Sequence, residues 1–264
     1  MKRWIMAAVV CLFAVGIGAS AAPFWRKSDP AEAEKQRRDE AEIRLQRAEE
    51  YLRDIQKSDD ESIPTELFNE CRGIIIIRQY KAGFIIGGKG GRGVALLKDE
   101  KTGQWSAPAF ISTAEGSIGW QIGGQSSDTI LLVMNQEGVE MLLKTKFKIG
   151  VDASAAAGPV GRDASAKAGV KTALLAYSRS KGLYAGMSIE GGMMMLDGHA
   201  HGVMYGDEKI SVNEILVKRT VAMPDAAKPL ITALEEYSIA ARIAVEKKKA
   251  AGPRKPVEPV NADK

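Results

Sequence analysis

A glycine-rich apolar stretch between residues 71 and 124 constrains the fold of this chain more than any other segment. Short apolar runs at 74–77, 84–86 and 94–97 alternate there with glycine clusters, and a turn follows at Lys101-Thr102-Gly103. Apolar runs of this length between turn residues are typical of strands. Glycines inside strands indicate bends, bulges or close backbone approach. The stretch therefore predicts a glycine-rich β-domain with separate strands at 74–79, 83–87 and 93–98.

Amphipathic helices are predicted on both sides of this region. Residues 31–57 repeat apolar side chains at helical spacing, and the stripe comprises Ala41, Leu45, Ala48, Leu52 and Ile55. A second helix is predicted at 226–248. Between them the strands follow one another at short, regular spacing, which favours an antiparallel sheet or barrel over a parallel sheet.

The two ends of the chain differ from the rest in composition. Lys2 and Arg3 precede an apolar run at 4–17, and Ala19-Ser20-Ala21 is a small-residue cleavage site. This pattern predicts a secretory signal peptide at 1–21, with an uncleaved anchor as the alternative. The remaining layout is a linker at 22–30, an N-terminal helix at 31–62, a β-rich domain at 63–217, a C-terminal helix at 218–249 and a proline-rich disordered tail at 250–264.

Charge is nearly balanced overall and uneven locally. The net charge is +4, and removal of Lys2 and Arg3 with the signal would lower it to about +2, which argues against a general nucleic-acid binder. Residues 71–98 carry six basic side chains and no acid, whereas residues 32–61 are acidic on balance. The basic β-region could attract anions, or it could be an ordinary solvated surface.

No motif in the sequence indicates catalysis. The run Gly88-Lys89-Gly90-Gly91-Arg92-Gly93 fits a dinucleotide fingerprint, but the residues that follow predict a strand and a turn instead of the helix such a site requires. His199 and His201 are predicted to lie in an exposed loop, and two histidines are too few for a zinc site. Removal of the signal leaves Cys71 as a lone cysteine, which predicts a buried thiol and no internal disulfide. We therefore expect no enzyme activity, no cofactor and no metal.

Several segments over about 63–216 stand in the order of one known family: IPTELFNECRGIIII, KAGFIIGGKGGRGVALL, GQWSAPAFIS, AAGPVGR, YSRSKGLYAGMSIEG, Tyr205-Gly206 and EIL at 214–216. Together they resemble the SYLF domain family, whose eukaryotic members bind phosphoinositides and whose yeast member binds and bundles actin. The resemblance implies a single α+β domain, built on a barrel-like antiparallel β-sheet flanked by N- and C-terminal helices, with no catalysis. In eukaryotic members a basic helix engages the membrane, whereas the corresponding helix here is acidic on balance.

Two functions from different classes follow from these observations. The first is a module of the bacterial cell envelope, periplasmic or secreted, that binds anionic membrane lipids through their headgroups. Glycines would let a headgroup approach backbone amides, and nearby cations would hold it. The candidate headgroup-binding residues are Lys81, Lys89, Arg92, Arg162, Lys167 and Lys171. The alternative is a structural or protein-interaction module that binds a protein partner through its terminal helices. An unrecognised hydrolase would need paired carboxylates in a pocket.

Overall fold

A computed structural model describes residues 29–58, 62–84, 86–118, 123–160, 172–180 and 193–250. The helices are α1 (Pro30–Lys57), α2 (Thr65–Glu70), α3 (Gln136–Leu142), α4 (Gly198–Tyr205), α5 (Val212–Leu216) and α6 (Lys228–Ala250), with a 3-10 turn at Asp225–Ala227 before α6. The strands are β1 (Gly73–Phe84), β2 (Ile86–Leu97), β3 (Ala109–Ile118), β4 (Gly123–Val133), β5 (Lys146–Lys148), β6 (Ala155–Ala157), β7 (Leu174–Ser180) and β8 (Met193–Leu196).

The strands form one sheet that curls into a half-barrel, in the order β5-β8-β3-β2-β1-β4-β7-β6. The predicted α+β fold is confirmed, with a barrel-like sheet between terminal helices in a single domain. The sheet is antiparallel throughout the described strands except that β6 runs parallel to β7. A parallel pair needs a long connection, and the segment 158–173 between these two strands is long enough to supply it.

The central position of β1 explains its run of isoleucines. Ile74 and Ile76 pack with residues of α1, α2, α4 and α6 on one face of the sheet. Ile75 and Ile77 pack with residues of α3 and α5 on the other. Because both faces of β1 are covered, consecutive apolar side chains are all buried. The face that packs against α1 is called the α1 face below.

Helix α1 forms as the sequence predicts. The Asp29 side chain accepts a hydrogen bond from the Ala31 amide at 3.0 Å, and Pro30 occupies the first turn, where a missing amide proton costs nothing. The predicted stripe is buried against the sheet, and Tyr51 joins it. Most of the other side chains of α1 remain partly or fully exposed. The helix therefore lies on the sheet by one narrow side.

Of the bends, bulges or close backbone approach that the glycines predict, the structure shows close approach, and the prediction of separate strands at 74–79, 83–87 and 93–98 is wrong. Strands β1 and β2 form one long hairpin, paired without interruption from Gly73 opposite Leu97 to Phe84 opposite Ile86. The glycines let the backbones of β1 and β2 lie close together, and they do not bend the strands. A Cβ atom on Gly93 would lie 2.2 Å from the carbonyl oxygen of Ile76, so a side chain at this position would push β2 away from β1.

Other sequence-based expectations have different outcomes. His199 and His201 lie in helix α4, so their placement in a loop is wrong; the Asp197 side chain caps that helix by accepting from the Ala200 amide.

Among the described residues, no helix combines the length and apolar character that crossing a bilayer requires. The predicted signal peptide and the tail beyond residue 250 lie outside the described residues. The domain limits stay a prediction.

Candidate anion-binding pocket

A row of polar residues crosses the α1 face over four neighbouring strands. Ser112 on β3 lies opposite Arg92 on β2, and Arg92 lies opposite Arg78 on β1. Arg78 in turn lies opposite Asp128 on β4. Two positions earlier on β1, the same face carries the buried side chain of Ile76. The apolar core beneath α1 therefore ends at this row.

Helix α1 covers the row and encloses a pocket of about 620 Å³. The helix contributes Glu40, Arg44 and Arg47 to its lining, at a spacing that places them on neighbouring turns of one side of the helix. Among the described residues, four arginines and two carboxylates line the pocket: Arg44, Arg47, Arg78 and Arg92 against Glu40 and Asp128. The Asp197 carboxylate, 2.6 Å from Arg44 and outside the lining, lowers the local charge of these residues to +1. A concave site with this excess of guanidinium groups attracts anions.

Arg78 is held by two hydrogen bonds to one carboxylate. Its Nε donates to Asp128 Oδ1 at 2.5 Å and its Nη2 donates to Asp128 Oδ2 at 2.6 Å. This hydrogen bonding raises the pKa of Arg78 above its ordinary value. The Tyr51 hydroxyl donates to the Asp128 carbonyl oxygen at 2.8 Å and ties α1 to β4 at the same point. The Arg78 guanidinium therefore has a fixed orientation in the pocket.

Arg44 forms the most buried ion pair of the pocket. Its Nη1 lies 2.6 Å from Asp197 Oδ2, and the two side chains are 10% and 15% exposed. Burial opposes ionisation of Asp197, but the Arg44 hydrogen bond and charge, with the Ala200 amide, keep the pKa of this carboxyl below its ordinary value. Arg44 Nε is buried and has no hydrogen-bond partner among the described residues.

The two remaining arginines lie nearer the solvent. Arg92 Nη1 donates to Glu40 Oε2 at 2.5 Å, across the gap between β2 and α1. Arg47 Nη1 makes a long hydrogen bond of 3.4 Å to the Tyr80 hydroxyl. Ile43 and Tyr80 also line the pocket and are exposed. The opening of the pocket therefore combines cations with apolar and aromatic surface.

Glycines form part of the floor between the arginines. A Cβ atom on Gly90 would meet only the Thr113 carbonyl oxygen, at an ordinary 3.6 Å. Gly90 lies opposite Tyr80 in the hairpin, on the α1 face. A ligand can therefore approach the β2 backbone at this position.

The structure brings one of the six predicted binding residues to this pocket. Arg92 lines it. Lys81 lies opposite Lys89 in the register of β1 and β2, one position beyond Tyr80 and Gly90, and the side chains of both lysines lie outside the described part. The other three predicted residues also lie outside the described residues: Arg162, Lys167 and Lys171. For these five the binding role stays a prediction.

Sequence reasoning missed the other arginines of the pocket. Arg78 follows Ile74 and Ile76 at strand spacing, so alternation along β1 would have placed it on the same face as the core. Arg44 and Arg47 were hidden by the net acidity of the α1 segment, because a charge total says nothing about which side of a helix each residue occupies.

The two histidines and the cysteine differ in burial and in their hydrogen-bond partners. His201 is buried and its Nε2 accepts a hydrogen bond from the Phe110 amide at 2.9 Å, whereas His199 is exposed beside Glu208. Burial lowers the pKa of His201 to about 4. Cys71 is buried, as predicted, and burial raises the pKa of its thiol to about 11. Among the described residues, no group of three or more His, Cys, Asp or Glu side chains could hold a metal ion.

Comparison with known proteins identifies relatives of this domain. Residues 114–237 match the family model described as "Ysc84: Las17-binding protein actin regulator". Protein YSC84 of Saccharomyces cerevisiae is 37% identical over 67% of this chain and 38% of the yeast protein. LAS seventeen-binding protein 3 of the same species is 36% identical over 67% of this chain and 39% of the relative. SH3 domain-containing YSC84-like protein 1 of Xenopus laevis is 30% identical over 68% of this chain and 54% of the relative.

These matches cover the domain and only part of each relative. The chain spans about two-fifths of the length of the yeast relatives. No solved structure matches it significantly. The family model matches the part of the chain that follows the glycine-rich hairpin, and the relatives carry names of the same family. This chain belongs to the Ysc84 family, which is the SYLF domain family.

Proposed function

We propose that this chain is a non-enzymatic binding module whose pocket receives the phosphate groups of an anionic lipid headgroup. The observation that carries the proposal is the convergence of four arginines from α1, β1 and β2 on one pocket, where they outnumber the carboxylates of the described residues around them. The planar guanidinium group matches phosphate oxygens in pairs. The pocket volume of about 620 Å³ lies within the range of small-ligand sites.

The surroundings of the opening support a lipid over a free phosphate. Ile43 and Tyr80 are exposed there, next to Arg47. Tyrosine has an apolar body and a polar tip, which suits the boundary between headgroups and acyl chains. A headgroup in the pocket would bring these two side chains to the membrane surface.

Vesicle flotation tests this proposal. Neutral phosphatidylcholine vesicles are compared with vesicles that also contain phosphatidylglycerol, cardiolipin or a phosphoinositide, at low and at high salt. We expect binding to anionic vesicles only, weakened by salt, because exposed charges are screened over about 8 Å at physiological ionic strength. Arg47→Gln should weaken binding about five-fold, the equivalent of about 1 kcal/mol for one cation at an anionic surface.

A matched control variant separates the pocket from overall charge. Arg38→Gln removes the same charge from an exposed position of the same helix, outside the pocket lining. Equal loss of binding in Arg38→Gln and Arg47→Gln would mean that the pocket is not the site. Absence of flotation with every anionic lipid would refute the lipid function altogether.

A protein-interaction function is the second candidate, and a different surface favours it. Ile239 and Ile243 are 54% and 48% exposed, one turn apart on α6. Paired exposed isoleucines on a terminal helix are typical of a contact surface. The matching family model is described as a Las17-binding actin regulator. We propose that α6 binds a partner protein and that this partner is similar to Las17.

Binding to purified Las17 tests the second candidate. Ile239→Ser with Ile243→Ser should abolish capture, and Val217→Ser, which removes another exposed apolar side chain away from α6, should not. Equal capture by all three proteins would refute a role for α6. Lack of capture by the unchanged protein would refute Las17 as the partner.

We also propose that the protein acts in the periplasm or outside the cell, because residues 1–21 have the pattern of a signal peptide. N-terminal sequencing of the protein recovered from cells tests this. A first residue at position 22 is expected, and an intact residue 1 would contradict cleavage.

A further inference from the structure

We infer that Glu40 is an internal competitor for the anion in this pocket: its carboxylate occupies Arg92 until a ligand phosphate displaces it. The inference rests on the headgroup site proposed above. It assigns to Glu40 a role in setting the affinity of that site, separate from the arginines that would hold the ligand.

The three ion pairs that involve pocket arginines differ in how easily a ligand could open them. Asp128 binds Arg78 through both carboxylate oxygens on an adjacent strand. The pair of Arg44 with Asp197 is almost fully buried. Opening either would leave a carboxylate without its partner in a poorly solvated place, which is costly.

The Arg92–Glu40 pair is the accessible one. It consists of a single hydrogen bond, and its two side chains are 57% and 40% exposed. An exposed pair of this kind contributes little net stability, because water solvates both partners when they separate. Glu40 also has a second neighbour on its own helix, Gln36, whose Nε2 lies 3.5 Å from Glu40 Oε1. A displaced Glu40 carboxylate therefore stays solvated and keeps Gln36 as a hydrogen-bond partner.

The position of the pair places the Glu40 carboxylate in competition with a bound phosphate. Arg92 lies in the polar row between Ser112 and Arg78, and Glu40 reaches it from the helix that covers the pocket. A phosphate bound by Arg92 would meet the Glu40 carboxylate at the same guanidinium group. The carboxylate thus both occupies a donor and repels the ligand charge, and each effect lowers affinity.

Glu40→Gln tests the inference, with Glu42→Gln as the matched control. Glu42 is an exposed glutamate of the same helix, two residues further on, and it does not line the pocket. Both variants change the net charge equally. We expect Glu40→Gln to tighten binding about five-fold, the factor that corresponds to loss of one exposed ion pair, and Glu42→Gln to change it less than two-fold.

Binding is measured in two arms with the purified protein. Calorimetric titration with inositol hexakisphosphate reports the phosphate chemistry alone, and flotation with phosphatidylglycerol vesicles reports it in a membrane. Tightening by Glu40→Gln in both arms, or in the vesicle arm only, supports a competitor acting against a lipid. Tightening only with inositol hexakisphosphate supports a competitor but moves the ligand to a soluble phosphate.

The Arg92→Gln background tests whether Glu40 acts through Arg92. The five-fold effect of Glu40→Gln should shrink to the level of Glu42→Gln in that background, which a merely structural role of Glu40 would not produce. If the unchanged protein binds and Glu40→Gln equals Glu42→Gln, the inference is wrong and the headgroup site stands. If Glu40→Gln binds and the other proteins do not, both the inference about Glu40 and the headgroup site are supported. Absence of binding by every protein overturns both.

Discussion

Alanine at Gly93 should destabilise the protein far more than alanine at Gly90, three residues away on the same strand. A Cβ atom at Gly93 would lie 2.2 Å from the Ile76 carbonyl oxygen and 2.9 Å from Ile77 Cα. Both atoms belong to the backbone of β1, so no side-chain rotation relieves the overlap. At Gly90 the nearest atom would be the Thr113 carbonyl oxygen at 3.6 Å, an ordinary contact.

The size of the difference follows from these contacts. Relief of the Gly93 overlap requires β1 and β2 to separate, which adds a packing cost of about 1–3 kcal/mol and weakens one or two ladder hydrogen bonds of about 1 kcal/mol each. Alanine restricts the unfolded chain and returns about 0.4–1 kcal/mol at either site. We therefore expect Gly93→Ala to cost about 3 kcal/mol and Gly90→Ala to be neutral or slightly stabilising.

Urea and thermal unfolding of the two variants, followed side by side by circular dichroism, measure this difference. At about 2–4 °C per kcal/mol for a protein of this size, the melting temperature of Gly93→Ala should fall by about 6–12 °C. Free energies of unfolding within 1 kcal/mol of each other would refute the argument, because they would mean that the hairpin accepts a side chain at Gly93 without separation of its strands.

Three further predictions concern individual side chains. Because the pKa of buried His201 is about 4, below the ordinary 6.5, the unfolded state binds an extra proton between these values, so stability should fall by up to about 3 kcal/mol as the pH drops from 6.5 to 4. Urea titrations should show this fall in the unchanged protein and in His199→Gln but not in His201→Gln; identical curves would contradict it. Alkylation of Cys71 at pH 8, followed by peptide mass, should be slow in the native protein and fast in urea, and rapid native labelling would disprove burial of the thiol. Arg78→Gln should cost about 2 kcal/mol by leaving the poorly solvated Asp128 carboxylate without its partner, and Asp128→Asn should recover most of that cost in the double variant; additive losses in chemical unfolding would argue against coupling.

Local patterns were enough to predict much of the fold. The spacing of apolar residues in α1 identified the buried side of the helix, and the isoleucines of β1 identified a strand. These features depend on the repeat of one element, which a sequence displays directly. The glycines of β2 were recognised as significant, but their effect depends on the strand opposite them. The sequence alone therefore left bends, bulges and close approach as alternatives, and the structure shows close approach.

The family was identified from the sequence resemblance, whereas the pocket was identified from the structure. Arg92 was chosen for its place beside glycines, whereas the sequence contained no sign that Glu40 reaches it from α1. His199 and His201 looked equivalent in sequence, yet residues two apart on helix α4 lie on opposite sides, the first in solvent and the second in the core.

By itself, the sequence determined the long helices on either side of the β-rich region, the apolar side of α1, and the family to which the chain belongs. It did so because propensity and periodicity are properties of neighbouring residues. Only the tertiary structure decided that Arg78, Arg92 and Asp128 form one row beneath Arg44 and Arg47. Strand register and the docking of α1 bring these distant residues together, and both are set by packing of the whole core.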